Sequence, residues 1–202
     1  MAWIRQIGED AASGPLSEVY ARVANARGRA SNLYRAQSLR PGVLGAHVGL
    51  HEALAQGESE LTPEERLLVG GVCAAANRCG YSLLHHREAL LALWQDAETV
   101  DDVLRDFRAV EDLPARWRAL LEFAEKLSRA PHLLAAPDVE ALKQAGLTDG
   151  GVLDVVQLVA YQSFVDRVAL GLGVDVSVGE AAGSRYDPAS QQKMNTHGCG
   201  NG

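Results

Sequence analysis

The sequence predicts an all-α protein, on three observations. Apolar residues recur at helical spacing along most of the chain, proline and capping residues stand where such stretches begin, and no alternating pattern of any length suggests a strand. Of the 202 residues, 47% are hydrophobic and 22% are charged, which is typical of a globular protein. We therefore expect one helical domain over residues 1–176 and a flexible polar tail over residues 177–202, where Gly, Ser, Gln and Asn dominate.

The predicted helices follow one another with short breaks. The first runs from Gly14-Pro15 to about Ala26, and the second runs from Pro41 to about Gln56. Thr62-Pro63-Glu64-Glu65 forms a capping box that opens a third helix, which ends near Ala76. Later helices are predicted at about 81–94, 100–107, 114–128, 138–144 and 151–172. The last is apolar on most sides, so we expect it to be the central helix.

Charge and hydropathy exclude several classes of partner. The net charge is −7 and no cluster of Lys or Arg occurs, which argues against nucleic-acid binding. The first residues lack the apolar run of a signal peptide, and the longest apolar stretch, from Val152 to Leu172, is interrupted by charged and amide residues. We expect a cytoplasmic protein with no membrane partner. Cys73, Cys79 and Cys199 are too few for a disulfide framework, so we interpret them as thiols.

The segment from Asn77 to His86 joins two predicted helices and holds the candidate chemistry. Cys79 lies where a helix begins, and free backbone N–H groups there should lower its pKa below the free-thiol value of about 8.5. Ser82 and His86 follow at i+3 and i+7 and share its face. A thiol, a hydroxyl and an imidazole in line could exchange protons. The alternative is that Cys79 is a packed small residue and His86 a hydrogen-bonded core histidine.

This segment resembles the motif of the alkylhydroperoxidase D-like, or carboxymuconolactone decarboxylase-like, superfamily, in its peroxidase-related branch. Further resemblance lies outside the motif, at residues 1–4, 31–33, 61–66, 121–127, 145–149 and 156–161. The resemblance implies an all-α alkylhydroperoxidase D-like helical bundle that assembles into homo-oligomers. It also implies an antioxidant oxidoreductase that acts on a small-molecule substrate through thiols, without a cofactor.

The superfamily motif is a glutamate, then Cys-x-x-Cys twelve residues later, then a histidine four residues beyond. By this resemblance, Cys79 matches the resolving cysteine and His86 matches the relay histidine. Ser82 stands where the attacking cysteine is expected, and Leu67 stands where the glutamate is expected. A serine hydroxyl cannot form the sulfenate and disulfide of the thiol cycle. The resemblance therefore predicts that ordinary dithiol peroxidase activity is lost.

Four histidines form a second candidate group. His47 and His51 are at i and i+4 on an apolar stripe, and His85 and His86 are adjacent in the motif. Three such rings could bind one metal ion if they met at one point. We expect instead that His47 and His51 line or underlie the pocket, hydrogen-bonded and neutral, with no metal.

Three classes of function stay open. The first is a repurposed enzyme in which His86, with Ser82 or Tyr81, performs acid/base chemistry on a small molecule in the old pocket. The second is a single-cysteine antioxidant thiol peroxidase that uses Cys79, with an external thiol as the resolving partner. The third is a non-catalytic oligomeric binding or scaffold protein that keeps only the fold.

Overall fold

The computed structural model describes residues 2–27 and 29–175, and the regular structure in these residues is helical throughout. The α-helices are α1 (Pro15–Arg27), α2 (Asn32–Ala36), α3 (Pro41–Gln56), α4 (Pro63–Ala76), α5 (Gly80–Trp94), α6 (Ala97–Asp106), α7 (Ala115–Arg129), α8 (Ala136–Gln144) and α9 (Asp149–Leu172). Short 3-10 turns lie at Glu9–Ala11, Phe107–Ala109 and Pro131–Leu133. The all-α prediction is confirmed. The predicted tail and Cys199 lie outside the described residues.

All the predicted helices are present, with ends displaced by a few residues. Helix α2 was not predicted, because five residues are too few to show an apolar period. Its start is fixed by Ser31, whose hydroxyl accepts a hydrogen bond from the backbone N–H of Tyr34 at 3.4 Å. Within the described ranges, no helix is both long and apolar enough to cross a membrane.

Apart from the short helix α2, helix α4 buries the largest share of its residues. The last helix, which was predicted to be central, packs against more helices: α2, α3, α4, α5, α7 and α8. Residues 68–74 of α4 are all buried, and the helix packs on α5, α7 and α9. Two glycines and an alanine in this run, Gly70, Gly71 and Ala74, let these neighbours approach closely. Helix α9 buries one face but exposes Leu153 and Phe164 on another. Its apolar sequence therefore overstates how much of it is enclosed.

The start of α4 is anchored by the predicted capping box. Thr62 Oγ1 accepts from the Glu65 N–H at 3.1 Å, and Glu65 Oε2 accepts from the Thr62 N–H at 3.0 Å. The same buried carboxylate binds Arg116 of α7, with Glu65 Oε1 at 2.6 Å from Arg116 Nε. A cap of this kind contributes about 1 kcal/mol. The box therefore positions α4 relative to α7 as well as starting it.

The junction between α4 and α5 fixes the position of Cys79. The Cys79 N–H donates to Ala74 O at 2.9 Å and the Arg78 N–H donates to Ala75 O at 3.1 Å, which is the double hydrogen bond of a Schellman motif. Arg78 occupies the left-handed region at φ 55°, where glycine is the usual residue. Cys79 closes this motif and is at the same time the N-cap of α5. One residue therefore ends α4 and begins the motif helix.

Candidate active site

Cys79 lies at a helix amino terminus, as predicted, but its electrostatic environment is the opposite of the prediction. The side chain is 1% exposed and its Sγ donates to Ser82 Oγ at 3.5 Å. Burial is the largest influence and raises the pKa of Cys79, whereas hydrogen bonds from the Ser82 side chain and backbone lower it. The negative charge of Asp166 raises the pKa further. The predicted pKa below 8.5 is therefore wrong, because desolvation outweighs the helix terminus.

His86 is held by a chain of hydrogen bonds that runs into α9. Its Nε2 lies 3.0 Å from Gln162 Oε1, and Gln162 Nε2 donates to Asp166 Oδ1 at 2.8 Å. Asp166 is fully buried, and its Oδ2 accepts from Asn77 Nδ2 at 2.8 Å. Since Gln162 presents its carbonyl oxygen to the ring, Nε2 of His86 carries the hydrogen. The Nδ1 atom of the neutral ring is then the one with a lone pair.

The protonation state of His86 follows from its surroundings. Part of the residue reaches the surface, but the protein around the ring lowers the pKa of His86 through desolvation. The bond to Gln162 and the charge of Asp166 raise the pKa by smaller amounts. No hydrogen bond from a described residue engages Nδ1, and the ring edge that carries it lies against Gly70 of α4. His86 is therefore a neutral base at pH 7 with one nitrogen that no hydrogen bond of the described residues engages.

The three predicted site residues do not form one line of proton exchange. Ser82 is buried and bonds to Cys79, whereas His86 bonds to Gln162, and no hydrogen bond between Ser82 and His86 is present in the described residues. The shared face predicted for them was not enough to join them. Gln162 and Asp166, which were not predicted as site residues, supply the connection instead. Their signal in the sequence is two polar residues one turn apart within the most apolar helix.

The position of the superfamily's glutamate offers no base to this centre. Leu67 is partly buried and packs against the main core. Of the two glutamates just upstream, Glu64 accepts from the indole Nε1–H of Trp94, and Glu65 is bound to Arg116. Both carboxylates are therefore engaged away from His86.

His47 and His51 meet a tyrosine rather than the motif histidines. His47 Nε2 and His51 Nδ1 lie 3.0 and 3.1 Å from the Tyr161 hydroxyl. His47 Nδ1 lies 3.1 Å from Gln37 Oε1, which identifies that nitrogen as a donor. In the described residues, no group of three or more His, Cys, Asp or Glu side chains could hold a metal ion. The convergence that a three-histidine metal site needs is not found there.

Cys73 is a structural thiol in the last turn of α4. It is fully buried, and desolvation raises its pKa to about 12 despite a hydrogen bond with Ser128. Cys73 and Cys79 are both free thiols. Cys73 belongs to the main core cluster, whereas Cys79 belongs to a second cluster that includes Leu33 and Tyr161.

Comparison with known proteins identifies the fold family. Residues 41–126 match the sequence model of the carboxymuconolactone decarboxylase family. An uncharacterized peroxidase-related protein from Ralstonia eutropha JMP134, described as an alkylhydroperoxidase AhpD core, is 26% identical with a TM-score of 0.79, covering 91% of this chain and 96% of that one. The chain therefore resembles the alkylhydroperoxidase D-like, carboxymuconolactone decarboxylase-like superfamily, in sequence over residues 41–126 and in fold over most of its length. The resemblance stated from the sequence is therefore confirmed.

Other solved members of this fold show its range. A peroxidase-related protein from Silicibacter sp. TM1040 is 25% identical with a TM-score of 0.76, covering 86% of this chain and 92% of that one. A variant of the debrominase Bmp8 in complex with 2,3,4-tribromopyrrole is 16% identical with a TM-score of 0.73, covering 91% of this chain and 97% of that one. The last likeness concerns the fold alone. No curated protein sequence matches the chain significantly.

Proposed function

We propose that this protein has lost the superfamily's dithiol peroxidase centre and performs acid/base chemistry on a small molecule at His86. The observation that supports the proposal is the state of the imidazole. It is neutral, its Nε2–H is fixed on Gln162, and its Nδ1 makes no hydrogen bond with a described residue. A general base needs a free lone pair, a pKa near or below the working pH, and a fixed orientation. His86 combines all three.

In the proposed reaction, Nδ1 of His86 removes a proton from an acidic C–H or O–H bond of the substrate. The imidazolium that forms is stabilised by the buried charge of Asp166, which acts through the Gln162 amide. The same proton then returns to another atom of the substrate anion, so no electrons are gained or lost. Positioned base catalysis of this kind contributes about 10²- to 10⁴-fold in rate.

Two side chains of the motif lack the groups that the thiol cycle needs. Ser82 has no sulfur to oxidise, and Leu67 has no carboxylate to act as the distal base. The single-cysteine alternative is disfavoured by the burial and raised pKa of Cys79, because the thiolate is the species that attacks peroxide. A debrominase with this fold holds a brominated pyrrole, so a small organic substrate is compatible with the architecture.

Two assays test this function. Wild-type protein in D₂O should exchange activated hydrogens of at least one compound in a panel of small keto acids and lactones, followed by proton NMR. His86→Gln should reduce that exchange about 100-fold or more, whereas His132→Gln, an exposed histidine elsewhere, should leave it unchanged. Equal loss in both variants, or no exchange with any compound, would favour the non-catalytic scaffold.

The second assay measures peroxide turnover. Reduction of tert-butyl hydroperoxide with a dithiol donor should be negligible in the wild type. Ser82→Cys should restore little, because Leu67 still leaves the relay without its base. Enzyme-like turnover by the wild type would refute the proposed loss of the thiol cycle. Activity in the single variant would show that the glutamate position matters less than proposed.

We further propose that the protein works as a cytoplasmic homo-oligomer. Large apolar side chains are exposed on α3 and α9, where Val43 is 59%, Leu50 47% and Phe164 40% exposed. A second copy of the chain would cover such residues. Light scattering coupled to size exclusion should give a mass that is a multiple of 21.6 kDa, and a monomer at micromolar concentration would contradict this.

A further inference from the structure

A surface pocket lies at the opposite end of helix α5 from Cys79. It has a volume of about 380 Å³ and lies between the end of α5, helix α6 and the start of α7. Its apolar wall is formed by Trp94, Val103, Val110, Leu113 and Trp117. This volume is within the range of small-molecule sites, which are mostly apolar with a few polar groups. None of these residues belongs to the His86 centre.

The pocket wall is held in place before any ligand arrives. The indole rings of Trp94 and Trp117 are parallel within 7°, with centroids 5.8 Å apart. Trp94 donates its Nε1–H to Glu64 of α4, which fixes the orientation of its ring. Both rings pack against the main core, together with Val110. A ligand would therefore meet two ordered aromatic side chains at little cost in conformational entropy.

The pocket rim carries two exposed carboxylates, and the guanidinium of Arg118 lies beside them, where its Nη2 donates to Val110 O at 2.9 Å. Glu111 and Asp112 line the pocket and are exposed. Among the ion pairs of the described residues, none involves either carboxylate. The remaining polar side chain of the lining, Thr99, is uncharged. An anion would be repelled by this rim, whereas a cation would be attracted to it and to the electron-rich faces of the indoles.

We propose that this pocket binds a small organic cation, with an ammonium head group on an apolar or aromatic body. The ammonium contacts the indole faces of Trp94 and Trp117 and the carboxylates of Glu111 and Asp112. The apolar body packs against Val103, Val110 and Leu113. The site is separate from the proposed chemistry at His86, and either can hold without the other.

The experiment titrates the ¹⁵N-labelled protein with three compounds that share a phenyl ring and differ in charge. These are benzyltrimethylammonium, benzyl alcohol and phenylacetate. The three tryptophans give three indole N–H signals, assigned with single Trp→Phe variants. We expect benzyltrimethylammonium to shift the Trp94 and Trp117 signals and to leave Trp3 in place. Its affinity should exceed that of benzyl alcohol about tenfold or more, as expected for a cation over two indoles. Phenylacetate should bind more weakly than either.

Surface variants separate the charge effect from folding. The double variant Glu111→Gln with Asp112→Asn should lower the affinity for benzyltrimethylammonium about three- to tenfold. Its affinity for benzyl alcohol should be unchanged. The matched control, Glu18→Gln with Glu122→Gln, removes two exposed carboxylates elsewhere and should have no effect. Trp117→Leu should abolish the selectivity for the cation. Equal affinity for all three compounds, shifts confined to Trp3, or equal effects of the two double variants would overturn the proposal.

Discussion

A methyl group added at Gly70 tests whether His86 is held where the structure places it. Gly70 lies in the buried stretch of α4, against the imidazole ring. A Cβ built there would lie 2.2 Å from Cε1, 2.6 Å from Nε2 and 2.9 Å from Nδ1 of His86. These separations are too short for van der Waals contact, so Gly70→Ala must displace either the ring or the α4–α5 packing.

The expected cost follows from these two responses. A displaced ring loses its hydrogen bond to Gln162, which costs about 1 kcal/mol and more if the buried amide stays unpaired. Overpacking of a rigid core costs about 1–3 kcal/mol. Alanine gains about 0.8–1.0 kcal/mol over glycine in a helix interior. When both costs apply, the net destabilisation should be about 1–3 kcal/mol, and each kcal/mol should lower Tm by about 2–4 °C.

The assay is urea unfolding of Gly70→Ala beside two control proteins. Gly49→Ala, in the middle of α3, meets its nearest atom at 3.8 Å and should stabilise the protein by about 0.5–1 kcal/mol. In a His86→Ala background the penalty at Gly70 should disappear, which gives a coupling energy of about 1 kcal/mol or more. If Gly70→Ala is as stable as Gly49→Ala, the ring is not packed against α4 and the orientation of Nδ1 loses its support.

Two further predictions come from the pKa directions. Cys79 should resist iodoacetamide in the folded protein, because burial raises its pKa and covers the thiol; rapid labelling at neutral pH, measured by mass spectrometry, would contradict this. Burial lowers the pKa of His86 below its ordinary value of 6.5, so the unfolded chain takes up a proton that the folded chain resists. The contribution of neutral His86 to the free energy of unfolding should be complete above pH 6.5. It should be lost as the pH falls through the pKa of His86 in the folded protein. His86→Gln should flatten that slope in denaturation curves.

The fold could be predicted from the sequence because capping residues and prolines mark where its helices begin. Thr62-Pro63-Glu64-Glu65 and Pro41 mark their helices without reference to the rest of the chain. The rank of α4 and α9 in the core could not be predicted in this way. Apolar content favours α9, which does pack against more helices than α4, but α4 buries a larger share of its residues because its small side chains let the neighbouring helices approach closely.

In the candidate site too, features set by local sequence could be predicted, whereas features set by tertiary packing could not. The position of Cys79 at a helix terminus follows from the break at residues 77–80, and the prediction was correct. The direction of its pKa shift was not, because burial depth and the approach of Asp166 depend on tertiary packing. Gln162 and Asp166 are visible in the sequence as polar interruptions of an apolar helix. Their partners, His86 and Asn77, become known only once α9 crosses the start of α5.

The buried chain of hydrogen bonds from His86 through Gln162 and Asp166 to Asn77 is not expected to be present for stability alone. Removing a carboxylate such as Asp166 from water costs several kcal/mol, and two neutral amide donors, from Asn77 and Gln162, recover only part of it. Apolar side chains of similar volume at His86, Gln162 and Asp166 would pack at lower cost. The arrangement instead suits a base that must be neutral at rest and tolerate a positive charge for a moment, since Asp166 stabilises the imidazolium without contacting it. Because the network costs stability but suits a base, the acid/base proposal is favoured over a scaffold that keeps only the fold.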